Sequence, residues 1–205
     1  LSINAHGLKA EGRLAAFFRA AARSQYDILL VQEHHMDEDE CIEAQRSSNL
    51  YGFISFFSAD PSGRPIAGVA ILTRTATTVD RLEDVTLHIL DPGRALLLII
   101  PKIEACPAAF NIYAPNEHRA QFFQSIHSRI EEISQSSPIP EGSVLAGDFN
   151  CIPSIHLDYS AAPDVQSPYD NSGADDLLEL VSSLGLADLF RSHNPASKTF
   201  TWGHT

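Results

Sequence analysis

Cysteine is scarce in this sequence: Cys41, Cys106 and Cys151 make an odd number at irregular spacing. Three such residues exclude a disulfide framework and give no cysteine-based zinc pattern; we read them as reduced thiols of an intracellular protein. Basic residues are also few, 14 Lys plus Arg against 26 Asp plus Glu, a net charge of −12. That balance argues against a module held to nucleic acid by charge alone, because such affinity comes from counterions released by basic side chains. It leaves room for an enzyme that meets phosphate through a divalent cation. Long apolar runs are missing. The longest, residues 95–100 and 28–31, are strand-sized and far short of a membrane span. There is no repeat, low-complexity tract, heavy linker or signal peptide. No Met opens the chain, and Leu1-Ser2-Ile3-Asn4 reads as the middle of a strand, as if the front had been cut. What remains is 205 residues, 44% hydrophobic and 20% charged. We expect one domain over 1–205, able to build its core without metal or disulfide staples.

Periodicity alternates between strand and helix. Leu14, Phe17, Phe18 and Ala21 stand at i, i+3, i+4 and i+7, which predicts a helix over 13–22. Residues 27–31 are too short and too apolar for anything but a buried strand. Residues 36–48 are charged and weakly helical. Strands are predicted at 51–58, 67–73, 77–82, 95–101, 108–113, 144–146 and 199–202. Asp60-Pro61-Ser62-Gly63 and Asp91-Pro92-Gly93 supply turns. Helices are expected at 116–134 (Phe122, Ile126, Ile130, Ile133) and 175–183 (Leu177, Leu178, Val181), and residues 153–173 read as loop. Strands in runs, with helices between others, predict an α/β sandwich of two packed sheets with helices outside.

Four apolar strands end in polar residues, which a strand would fix at a solvent-facing rim. They are Asn4-Ala5-His6-Gly7, Gln32-Glu33-His34, Tyr113-Ala114-Pro115-Asn116 and Gly147-Asp148-Phe149-Asn150. Any one of them could be a strand-end cap or turn former. Together they make an oxygen-rich set suited to a hard cation such as Mg²⁺ or Mn²⁺. Asp148 and Asn150 are two apart, so on extended chain they face the same way.

These blocks, followed by Thr199-Phe200-Thr201-Trp202, resemble in order and spacing the endonuclease/exonuclease/phosphatase (deoxyribonuclease-I-like) superfamily. Within it they are most similar to the apurinic-endonuclease-like domain of non-LTR (LINE-type) retrotransposons. The resemblance implies a four-layer α/β/β/α sandwich of two mixed sheets, and a Mg²⁺-dependent (Mn²⁺ possible) endonuclease that nicks DNA in the nucleus. It also implies a tether to a reverse transcriptase in a longer polyprotein, and no membrane. Glu33 would be the main metal ligand, with Asn4 beside it. Asp148 would orient or deprotonate the attacking water, Asn150 would bind the scissile phosphate, and Tyr113 and Asn116 would hold phosphate oxygens or the leaving group.

Two departures bear on activity. Family members carry an Asp-His pair after the Phe-Thr-Trp strand, whereas this sequence ends at Thr205, and His204 stands outside such a setting. His6 stands where many apurinic endonucleases have an acidic residue. We therefore expect a partial domain, truncated at its C-terminus and inactive or very weak on its own. His34-His35 invites a zinc reading, but adjacent strand residues point to opposite faces. The acids in 36–43 and Asp175-Asp176 read as solvated helix starts. Arg64, Arg94, Arg119 and Arg129 could reach DNA phosphates, with surface solubility the simpler use. Two other functions are kept: a phosphoinositide or sphingolipid phosphoesterase of the same fold, and a non-catalytic retroelement remnant.

Overall fold

The computed structural model describes residues 1–78, 85–101, 103–159 and 170–198. One sheet is built from β1 (Ser2–Asn4), β2 (Ile28–Gln32), β3 (Phe53–Ser58) and β4 (Val69–Arg74), in the order β1-β2-β4-β3. In it β1 runs parallel to β2, and β4 antiparallel to both its neighbours. The other holds β5 (Thr86–Asp91), β6 (Ala95–Ile99), β7 (Ala108–Tyr113) and β8 (Val144–Asp148) in sequence order, antiparallel except for the parallel pair β7–β8. Both sheets are mixed. They pack face to face, with β1 against β8 and β4 against β6 and β7.

The uninterrupted apolar runs follow from burial on both faces of each sheet. Leu30, Ile71, Leu96 and Leu98 point into the layer between the sheets. Their neighbours Leu29, Val31 and Leu72 point outward, onto Phe18 and Ala21 of α1 (Arg13–Arg23) and Cys41 and Ala44 of α2 (Glu38–Asn49). Leu97, Phe110 and Ile112 face Phe123, Ile126 and Ile130 of α4 (Arg119–Ser134), and Leu177 and Leu180 of α6 (Ala174–Ser183). The result is helix, sheet, sheet, helix, the expected four layers.

One buried polar contact crosses the middle layer. Asn111 on β7, fully buried, donates to the carbonyls of Val31 and Ala70 at 2.9 and 2.8 Å, and accepts from the Gln32 amide at 2.6 Å. It bolts one sheet to the other and satisfies every group it buries.

Several boundaries differ from expectation. Thr77 and Thr78 close a short helical turn, α3 (Thr75–Thr78), instead of opening a strand, and 79–82 lie outside the described residues. The strand on the outer edge beside β6 is β5, where Leu87 and Ile89 alternate with polar residues. The expected loop at 153–173 contains α5 (Ile155–Asp158), and α7 (Leu189–His193) was not anticipated. The expected strand at 199–202, and His204, fall outside the described residues. Weak helical periodicity at α2 is offset by a capping box, Asp37 with Glu40, and three acids in the first turn.

Candidate active site at the sheet ends

Both parallel pairs run out at the same end of the sandwich. Asn4 is in register with Gln32, which places Glu33 one residue beyond β2, and Tyr113 is in register with Asp148. Past the formal end of β1, the amides of Ala5, Gly7 and Leu8 still bond the carbonyls of Gln32, Glu33 and His34 at 2.7–2.8 Å. Arg13 fastens the same turn through the carbonyls of Ala5 and His6. That pairing requires left-handed backbone at His6 (φ 45°), Glu33 (φ 54°) and His35 (φ 58°). For non-glycine residues such backbone costs about 1–3 kcal/mol each, and it clusters where a side chain must be aimed.

Asn4 is the centre of the arrangement. Its amide Nδ2 donates to Glu33 Oε1 at 2.9 Å and to Asp148 Oδ2 at 3.1 Å, joining carboxylates from two different sheets. Its Oδ1 accepts from the His6 amide at 3.1 Å. The Tyr113 hydroxyl lies on the Glu33 side of the rim and interacts with its carboxylate. Burial works against ionising Glu33. Hydrogen bonds from Asn4 and Tyr113, with the His6 and His35 rings nearby, nevertheless hold its carboxyl below the ordinary range. Burial and the Glu33 carboxylate push the Tyr113 phenol up to about 12, so it is a donor at neutral pH. The Arg94 guanidinium lies over the Tyr113 ring, 5.1 Å from its centroid.

Asp148 also accepts from the Asn150 amide at 3.2 Å, and the Asn150 side chain donates to the Ala114 carbonyl at 2.7 Å. The loop after β8 is thereby tied to the loop after β7. Asn116 sits further along that second loop, its carbonyl held by the buried Arg119. The structure thus joins Asn4, Glu33 and Asp148 by hydrogen bonds, with Tyr113 and Asn150 beside them and Asn116 on the adjoining loop.

Two histidines to which the sequence reading gave no role in the site flank Glu33. His6 Nδ1 and His35 Nε2 lie 3.6 and 3.4 Å from Glu33 Oε2. His34 turns the other way and is fully buried. Its Nδ1 accepts from the Met36 amide at 3.0 Å and its Nε2 meets the Ser58 carbonyl at 3.1 Å. Both ring nitrogens are thereby engaged, away from the rim. Arg119 is a buried anchor, 4% exposed, and not a surface charge. A buried arginine inside an apolar helix face carries no pattern that separates it from a solvated one.

For a hard cation the donor chemistry fits: Glu33 and Asp148 offer carboxylate oxygens at one open rim. Among the described residues, no group of three or more His, Cys, Asp and Glu side chains forms a ready-made cage. A cation here would therefore be met by a carboxylate or two, water and phosphate, the usual manner for Mg²⁺.

Comparison with known proteins bears on the same arrangement. Residues 1–198 match the model of the Endonuclease/Exonuclease/phosphatase family. In Xenopus laevis the "Transposon TX1 uncharacterized 149 kDa protein" is 32% identical over 114 residues, covering 54% of this chain and 8% of that protein's length. Among solved structures, the AP endonuclease LMAP from Leishmania major superposes with a TM-score of 0.70 at 18% identity, over 96% of this chain and 69% of that one. An AP endonuclease from Archaeoglobus fulgidus gives 0.65 at 20%, over 99% and 77%. A variant of the 3′ phosphatase NExo from Neisseria, bound to a product DNA hairpin, gives 0.69 at 21%, over 96% and 74%. At these identities the structures share a fold, and the family model spans nearly the whole sequence. The chain belongs to the endonuclease/exonuclease/phosphatase family.

Proposed function

We propose that this chain is a divalent-cation-dependent phosphodiesterase domain that nicks DNA, of the kind that works within a retrotransposon polyprotein. The observation that carries the reading is the Asn4 amide, which gathers Glu33 and Asp148 from separate sheets at one rim. The neighbours' names favour DNA: two AP endonucleases, and a 3′ phosphatase with a DNA product. The retroelement setting draws on the transposon relative, of which the chain spans 8%. A reverse transcriptase elsewhere in such a polyprotein would extend the exposed 3′-hydroxyl, and the work would be done in the nucleus.

A Mg²⁺ or Mn²⁺ ion held by Glu33, with Asn4 beside it, would supply positive charge opposite the phosphate. Asp148 orients a water for in-line attack and accepts its proton. Asn150 presents its second amide N–H to a phosphate oxygen, and Asn116 offers another donor where charge develops. Tyr113 keeps its proton and steadies Glu33.

The test sets supercoiled plasmid beside inositol phosphates, with Mg²⁺ or Mn²⁺ and with chelator. Slow conversion of plasmid to open circle, abolished by chelator and by Glu33→Ala or Asp148→Ala, supports the proposal. Phosphate release from inositol phosphates in its place would move the chain to the lipid-directed branch. No cation-dependent change in either substrate ends the catalytic reading.

A further inference from the structure

We infer that residues 170–173 form a brace that sets the spacing of the two asparagine-bearing rim loops, with Arg119 and Asn171 as its positioning residues. Asn171 makes a two-point contact with the chain just past Asn150. Its Oδ1 accepts from the Ile152 amide and its Nδ2 donates to the Ile152 carbonyl, both at 2.9 Å. A side chain needs one donor and one acceptor side by side to do this, which an aspartate or an alanine lacks.

The same segment grips the other loop through Arg119. Its guanidinium donates to the Ser172 carbonyl at 2.7 Å, the Asp170 carbonyl at 2.8 Å and Ser172 Oγ at 3.1 Å, and pairs with the Asp170 carboxylate at 2.8 Å. Its remaining arm donates to the Asn116 carbonyl. One buried charge therefore links the Asn116 turn to the segment that holds Ile152. At Gly173 (φ +87°), a Cβ would lie 2.6 Å from Arg119 Cβ and 2.9 Å from its carbonyl carbon, so only glycine permits the approach. Asn150 and Asn116 are thus fixed relative to each other twice, directly through Ala114 and again through the brace. A displacement near 1 Å at such groups lowers turnover far more than it weakens binding.

The bearing on catalysis rests on the phosphodiesterase reading; the brace itself does not. Amide hydrogen exchange and nicking kinetics are measured on the wild type, Asn171→Ala, Asn171→Asp and Arg119→Lys. Asn171→Ala is expected to speed exchange at the Ile152 amide at least ~10-fold and leave Ile71 in β4 unchanged. It should lower kcat on the order of 10-fold, with KM within about threefold. In Asn171→Asp, protection of Ile152 relative to wild type should return as the pH falls, since a protonated carboxyl again donates and accepts. Arg119→Lys should loosen 170–172, because an ammonium cannot span three carbonyls in a plane. Unchanged Ile152 exchange in Asn171→Ala, or faster exchange with unchanged kcat, overturns the inference. If Asn171→Ala does not fold, Asn171→Asp and Arg119→Lys decide by the same comparison. A wild type that cuts neither substrate removes the activity reading, and exchange alone then decides the brace.

Discussion

The Asn4 amide donates to carboxylates from both sheets, so Asn4→Ala would leave Glu33 and Asp148 facing each other without a shared donor. Hydrogen bonds to charged groups are worth ~1.5–3 kcal/mol, and outer partners of a metal site about 10–100-fold in affinity or activity. We expect Asn4→Ala to reduce nicking on the order of 100-fold while thermal unfolding shows a loss of ~1–2 kcal/mol. His34 gives a second outcome, on stability. Burial lowers its pKa to about 4, whereas in the unfolded chain it titrates near 6.5. The unfolded state therefore takes up the proton first, and the stability contributed by the neutral ring is lost as the pH falls from about 6.5 to about 4. The loss is roughly 3 kcal/mol, measurable by urea unfolding across that window, and His34→Gln should flatten the curve. Glu33, Asp148 and Asn4 were legible because each is a polar residue at the end of an apolar strand. Asn171 was not: it lies in a Ser-, Asp- and Gly-rich stretch where composition carries no sign of a partner 19 residues away.

Among the elements, β8 depends on a glycine. A Cβ at Gly147 would stand 1.8 Å from the Ile112 carbonyl oxygen, inside the β7–β8 pair that carries both Tyr113 and Asp148. Gly147→Ala must push the strands apart, and we expect a loss of ~3 kcal/mol or more in chemical denaturation. Unbroken burial made β2, β6 and β7 plain in the sequence, since three or more consecutive buried apolar residues leave one solution. The Thr-rich stretch at 75–78 misled for a physical reason. β-branched residues favour strands, yet Thr75–Thr78 form a single helical turn directly after β4. β5 escaped notice because it is an edge strand, half exposed, with a polar residue at nearly every second position.

At the level of the whole molecule, a net charge of −12 constrains how DNA could be held. Log affinity should fall with log salt by about 0.9 for each phosphate neutralised. With 14 Lys and Arg against 26 Asp and Glu, a fluorescence titration of duplex binding should give a slope of about −2 or shallower; a slope of about −6 would mean an extended basic footprint. The two-sheet architecture followed from the order of strands and helices, while the Gln32–Asn111 bolt emerged only once β2 and β7 were placed across from each other. The rim has its own timetable, because the residues bridged at its centre are 144 positions apart in the chain. At synthesis rates of roughly 5–20 residues per second, Asp148 leaves the ribosome about 7–30 s after Asn4. Through that interval the first sheet can be complete while Asn4 still has no Asp148 to bond, so the two halves of the rim meet only after β8 has been made.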